Sequence, residues 1–412
     1  MLAAAGCVGI SKPEGWGGPA RADDLLLAST AKGELSALDL NPETGDQCDN
    51  STDDDEDDRV NEGCPKVGDK AESGRACEND TNDDTVDDIA DDDKVNDGCP
   101  PWHWTFPTGD EDPEIDLEAI YGTPVVIDDT VYLGGYSGDV YALDLETGEP
   151  VWPRPFAADE PIIAGLATNK SETALYVATD DGSLHVLDPQ TGRETVEPFD
   201  AGDSIWAAPL LADGVVYVAA VDGKLHALDA KTLEPEWDAP FEADQGLISD
   251  PVLADGAIFV GGLDRALHAV DAATGEEREG WPFEADNWFW GKALVDPDRP
   301  DTVYAPNLDG RLYALDTETG EEREGWPFEA EEPLRSAPVL AGEALLIVDR
   351  GGNVYGLDPE AGTPNWSAPA ALGKTVLSNP LLLGDEVLIS AQGGDLFRVD
   401  GTAGGVVEVV TP

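Results

Sequence analysis

The residues best able to do chemistry are crowded into one stretch of this 412-residue chain. Four of the five cysteines, Cys48, Cys64, Cys77 and Cys99, fall between residues 46 and 100. Between the first two, carboxylates alternate as Asp53-x-Asp55-x-Asp57, with Asn61 following. Oxygen ligands at this density suit a hard divalent cation such as Ca²⁺. The stretch is duplicated: Arg59-Val-Asn-Glu-Gly-Cys64-Pro is answered by Lys94-Val-Asn-Asp-Gly-Cys99-Pro, which aligns Asp88, Asp92 and Asn96 in the second copy. Ala90 replaces the middle acid of that copy. Four cysteines permit three pairings, and the duplication favours one bridge per copy, Cys48–Cys64 and Cys77–Cys99, which implies an oxidising compartment. The alternative to an ion site is an acidic loop solvated in molar salt.

Elsewhere the candidates thin out. His185, His226 and His268 occupy one recurring position, where related segments carry Tyr141, Tyr313, Tyr355 and Phe397. Equivalent positions of neighbouring repeats stand too far apart to share a zinc ion at ~2.0 Å, so these side chains read as packing aromatics. His103, between Trp102 and Trp104, receives no task. The segment Gly275-Glu-Glu-Arg-Glu-Gly-Trp-Pro-Phe-Glu-Ala285 recurs identically at 320–330. Just beyond its first copy, Trp288, Phe289 and Trp290 form a candidate binding patch, the alternative being that they pack between repeats.

The elements that must position these residues are set by a repeat. Gly138-Asp-Val-Tyr-Ala-Leu-Asp144 recurs so that its final Asp falls at 39, 144, 188, 229, 271, 316, 358 and 400. Apart from one interval of 105, the spacing is 41 to 45 residues. Each unit reads as short strands: Val215-Val-Tyr-Val-Ala219 is β-branched and aromatic, Asp222-Gly223 supplies a hairpin turn, and Leu225 to Leu228 is the next strand. A turn such as Thr147-Gly148 then leads to a strand carrying Trp, and a Pro starts another strand, as in Ala208-Pro-Leu-Leu211. Four short strands per unit at this period describe a propeller blade better than a solenoid turn. The expected fold is all-β, an eight-bladed β-propeller of four-stranded antiparallel blades. The repeated Asp is expected to hold the turn backbone.

The run from Tyr132 to Trp152 resembles the pyrroloquinoline quinone (PQQ)-like repeat. That resemblance implies that Trp152, Trp237, Trp281, Trp326 and Trp366 dock each blade on the next. Blade three carries Val196-Glu-Pro where its Trp would fall. Family enzymes sandwich PQQ, coordinate it through Ca²⁺ and often cover it with adjacent cysteines. No two cysteines are adjacent here, and the abundant Asp residues select no base, so PQQ is not expected and the chain reads as non-catalytic. The acidic ladder resembles the loops of EF-hands and thrombospondin type 3 repeats, with Asp58 in place of the sharp-turn Gly. Leu2-Ala-Ala-Ala-Gly-Cys7 resembles a lipobox, which makes Cys7 the lipidation residue.

Charge and composition bound the partners. With 87 Asp and Glu against 23 Lys and Arg, and a formal net charge of −64, the surface repels nucleic acid. Few lysines and abundant Asp resemble the proteomes of salt-loving archaea, where screening lengths fall to ~3 Å at 1 M salt. No apolar run reaches the ~18 residues of a membrane span, leaving a lipid anchor as the only membrane contact. The expected organisation is 1–19 as signal remnant, lipobox and linker, 20–45 and 101–412 as the propeller, and 46–100 as the inserted disulfide module. The expected function is a monomeric propeller, exported to the outer face of the cytoplasmic membrane, that binds a protein or envelope component. The alternative is a PQQ- and Ca²⁺-dependent dehydrogenase of alcohols or sugars.

The inserted copies are too small and too charged to bury a core, so their order must come from disulfides and Ca²⁺. Deleting residues 46–100 should leave a cooperatively unfolding propeller, and EDTA should raise proteolysis only within the insertion of the intact protein. Loss of folding on deletion, read by circular dichroism, would instead make the insertion part of the toroid.

Overall fold

A computed structural model describes residues 17–22, 25–29, 33–39, 102–107, 115 and 117–410. Cys7, the four clustered cysteines and the residues of the acidic ladder lie outside them. The described strands form eight antiparallel sheets, which follow one another along the chain as blades 1 to 8 over residues 20–106, 125–157, 167–200, 210–242, 252–284, 294–329, 339–371 and 381–410. The expected all-β, eight-bladed propeller is therefore the fold. Within a blade, spatial order follows chain order. First strands of successive blades touch one another, so they lie innermost and the fourth strands form the rim.

The strand signals act as the physics requires. Val215–Ala219, a second strand, is buried on both faces from Val216 onward because it is sandwiched between two other sheets. Gly223 closes its hairpin at φ 90°, a conformation that strains any residue with a Cβ. Pro124, Pro209, Pro251, Pro338 and Pro380 each sit one residue before a first strand, where a missing N–H breaks no ladder bond. The repeated Asp holds its turn: Asp229 Oδ1 accepts from the Lys231 and Thr232 amides at 3.0 and 2.8 Å and from the Thr232 hydroxyl at 3.0 Å. Those backbone donors hold the Asp229 carboxyl below its usual range.

No single core exists; apolar layers lie between consecutive blades. Leu27, Leu35 and Trp104 pack on Val131, Leu133 and Leu143 between blades 1 and 2, and comparable layers follow around the ring. Blades 8 and 1 meet through Leu388 and Leu396 against Leu26, Ala28 and Leu38. Each of these two blades comes from its own end of the chain, so this apolar layer closes the ring without a shared sheet.

The tryptophans occupy these seams from a position different from the one expected. They lie in a break of the outer strand, after an isolated bridge such as Leu143–Pro150 or Leu228–Pro235 and before the two-residue strand at the rim. The break frees the indole to swing out of its own sheet. Each ring then lies on the glycine of the next blade's turn: Trp152 on Gly192, Trp237 on Gly275, Trp281 on Gly320, Trp326 on Gly362 and Trp366 on Gly404. Trp104, not singled out in the sequence, lies likewise on Gly148, and its Nε1 donates to Leu145 O at 2.8 Å. Trp152 and Trp237 make the same bond to Pro189 O and Ala272 O at 2.9 and 3.1 Å, whereas the Nε1 atoms of Trp281, Trp326 and Trp366 are buried without a partner. Two sequence registers serve one role. Trp152, Trp237 and Trp366 stand four residues before the start of the rim strand; Trp281 and Trp326 stand two before it.

The seam between blades 3 and 4 departs from this rule on both sides. Val196 stands where the indole would be, and the turn it faces carries Leu233, not Gly, at φ 57°. Leu233 is 5% exposed and shares its cluster with Val196. The isobutyl group thus fills the space the indole leaves, at a backbone cost of ~1–3 kcal/mol for a non-Gly residue in this region. Leu233→Gly should relieve that strain yet lower stability by about 2–4 kcal/mol through the cavity it opens. Adding Val196→Trp to Leu233→Gly should recover part of the loss, read as the denaturant midpoint at fixed molar salt, while Val196→Trp alone should destabilise.

Candidate docking site at the channel mouth

One face of the toroid is built from the links that leave each rim strand for the next innermost strand, together with the turns between second and third strands. These loops are stitched by equivalent backbone bonds. Val221 N donates to Ser204 O at 2.9 Å, Leu263 N to Gly246 O at 2.8 Å, Leu308 N to Trp288 O at 3.0 Å and Arg350 N to Pro333 O at 2.9 Å. A second set ties each link to the blade it leaves, as Ile205 N to Thr179 O at 3.2 Å and Leu247 N to Ala220 O at 3.0 Å. A link held to two blades has little freedom, so its side chains are presented on a rigid frame.

Three residues before each first-strand Pro, or its equivalent, the links place Tyr121, Ile163, Trp206, Ile248, Trp290, Arg335 and Leu377. Among the described residues this makes a ring of six apolar side chains and one guanidinium around the axis. All but the buried Ile248 are half-buried. Trp206 and Trp290 come together with ring centroids 6.2 Å apart, and Ile248 belongs to the link between theirs. The Arg335 guanidinium stacks over Trp290 at 4.5 Å from its centroid. Trp206 Nε1 donates to Asp180 Oδ1 at 2.8 Å, which fixes the indole plane. Tyr121 meets Tyr136, from the turn of blade 2, at 5.5 Å.

Of the expected patch, Trp288 and Trp290 are half-buried on this face, but Phe289 is not part of it. Phe289 is 1% exposed and packs against Phe283 and Tyr313 between blades 5 and 6. Alternation along the extended link sends the middle ring inward. Trp206 and Arg335, which sequence inspection passes over, share Trp290's repeat register, and aligning the links would have collected them.

Two residues further along, the links are tied to one another. Asp250 accepts from Ala208 N at 2.8 Å, and Asn379 accepts from Ala337 N at 2.8 Å. Burial pushes the Asp250 carboxyl up, opposed by Lys292 of the next link and by the Ala208 amide.

The three histidines lie in the seams. His185, His226 and His268 stand edge-on to Phe156, Phe199 and Phe241 of the preceding blade at 5.3, 5.1 and 5.1 Å, as Tyr355 does to Phe328, while Tyr141 and Tyr313 lie tilted against Phe106 and Phe283. His268 Nδ1 lies 2.6 Å from Glu277 and its Nε2 lies 2.9 Å from Asp264. Burial alone would lower its pKa; the two carboxylates outweigh burial and push it up to about 9. No group of three or more His, Cys, Asp or Glu among the described residues is arranged to hold a metal ion.

A family model described as outer membrane protein assembly factor BamB matches residues 94–192, 160–279 and 297–409. The chain belongs to this family. A curated relative, the outer membrane protein assembly factor BamB of Burkholderia pseudomallei (strain K96243), is 30% identical over 115 residues, which are 28% of this chain and 29% of the relative. The chain thus matches under a third of that relative's length. Among solved structures, BamB from Moraxella catarrhalis superposes with a TM-score of 0.59 at 18% identity, covering 70% of this chain and 87% of that one. The computationally designed Ika8 protein superposes at 0.63 with 12% identity, covering 94% and 97%. At such identities the likeness to both structures is one of fold.

His268 supplies a pH test of the blade 4–5 seam. Its folded pKa, about 9, lies above the ordinary 6.5, so its contribution is complete below pH 6.5 and is lost as pH rises through about 9. His268→Tyr, which places the residue of blades 2, 6 and 7 there, should flatten the fall in melting temperature between pH 7 and 10.

Proposed function

We propose that this protein is a non-catalytic scaffold that docks a protein partner of the cell envelope on the channel mouth. The observation that carries the reading is the ring at the mouth, apolar but for Arg335, in a chain with a net charge of −64. Half-exposed apolar groups collected at one place and rimmed by polar turns mark an interaction site. Indoles and a stacked arginine are the side chains that dominate such interfaces. The links are pinned at both ends, so docking orders little that is not already ordered. Family membership supports the same reading, since the family model and the curated relative bear the name of an assembly factor. The chain is exported and held at an envelope membrane through lipid on Cys7, and the acidic ladder around Asp53, Asp55 and Asp57 takes Ca²⁺.

A photoreactive residue in place of Trp290 should capture a discrete envelope protein from membranes in molar salt. The same residue at Lys231, on a turn of the opposite face, should capture none. Equal capture from both positions would overturn the mouth as the docking site. Reduction of a dye by the purified protein with PQQ, Ca²⁺ and any alcohol or sugar would overturn the non-catalytic reading.

A further inference from the structure

Four Asn-x-Ser/Thr sequences occur in the chain, starting at Asn50, Asn79, Asn169 and Asn365. The topology places the two described ones, Asn169 and Asn365, away from the mouth. Asn169 lies in the turn between the first and second strands of blade 3, and Asn365 lies between the third strand and the rim strand of blade 7. Residues 50 and 79 fall in the chain between the third strand of blade 1, Leu35–Asp39, and its rim strand, Trp102–Phe106. Asn287, Asn307 and Asn379, in the mouth-side links and turns, begin no such sequence.

The two described candidates differ in what their amides can do. Transfer of a sugar needs the Asn Nδ2 free to approach the donor. Asn169 is tied into its own turn: Oδ1 accepts from Thr173 N at 2.8 Å and Nδ2 donates to Thr173 Oγ1 at 3.0 Å, while Ser171 Oγ lies 3.2 Å from that same hydroxyl. Asn365 is exposed and its backbone N bonds Gly356 O at 2.7 Å, but its side chain makes no hydrogen bond among the described residues. Ser367 is exposed as well. Between them Trp366 is folded onto Gly356 and Gly404, which anchors the middle of the tripeptide and leaves both polar ends in solvent.

We propose that Asn365 is an N-glycan acceptor. The donor class is a sugar chain carried on a lipid phosphate: Nδ2 forms a bond to the anomeric carbon, the bond from that carbon to the phosphate oxygen breaks with its electron pair leaving on the phosphate, and Nδ2 gives up one proton. A glycan here projects from the face opposite the docking ring and leaves that ring uncovered. The inference rests on the export reading, because the donor is used outside the cytoplasm.

The test uses protein recovered from the membranes of its own cells. Trypsin releases residues 351–374 as one peptide, bounded by Arg350 and Lys374. That peptide should carry a mass increment of whole sugar residues on Asn365, and the peptide containing Asn169 should be bare. Ser367→Ala should remove the increment and leave the unfolding midpoint unchanged. A bare 351–374 peptide from protein that protease reaches on spheroplasts, stripped of any outer layer, overturns the inference and leaves export standing. Protein protected from protease on spheroplasts until they are lysed overturns export, and this inference with it.

Discussion

Each sheet of this protein is apolar on both faces and has no helix among the described residues to cover either one. Only another sheet on each side can bury it, and a row of sheets leaves two faces bare unless it closes. The toroid is the solution, and every other feature depends on the seams between blades. The contacts that hold the molecule are therefore non-local across each seam yet nearly identical from seam to seam.

The seam works by matching a projection to a notch. An indole presses on a turn whose glycine has no Cβ; at Gly192 or Gly275 an added Cβ would lie 2.8 or 2.7 Å from the ring of Trp152 or Trp237. Glycine there serves two demands at once, positive φ and close approach. Where Val196 removes the projection, Leu233 fills the notch, so the pair changed as a unit. Below the indoles a second row of rings repeats the logic, with Phe of one rim strand against Tyr or His of the next blade. His268 shows how an acidic protein tolerates a charge in that row, by supplying two carboxylates to it.

Charge and packing are thereby segregated. Acids crowd the turns, where Asp144, Asp188, Asp229 and their equivalents accept backbone bonds, while the seams stay almost wholly apolar. Against that background the mouth stands out, among the described residues, as a place where half-exposed indoles, aliphatics and a stacked arginine gather. The two faces of the toroid thus differ in kind. One carries half-exposed indoles and a stacked arginine on doubly pinned links, and the other carries acidic turns.

How much of this was legible depends on the range of the interaction. Blade number, strand count, hairpin turns and the Asp that holds each turn follow from local signals: β-branched runs, Asp-Gly, and a residue bonding its neighbours two and three positions on. A period near 42 residues needs no tertiary knowledge to be counted. The place of the tryptophans was legible only in part, because a break in the rim strand is a response to the neighbouring sheet, and two registers converge on one notch. Phe289 could not be told from Trp288 and Trp290 without knowing which side of the link faces a seam. Trp206 and Arg335 became partners of Trp290 only when blades 3 to 7 bent their links around one axis. Sequence by itself determined the repeating unit, because that unit is made by contacts a few residues apart. Tertiary structure decided the mouth, because its ring is assembled from residues some 40 positions apart that only closure of the toroid brings together.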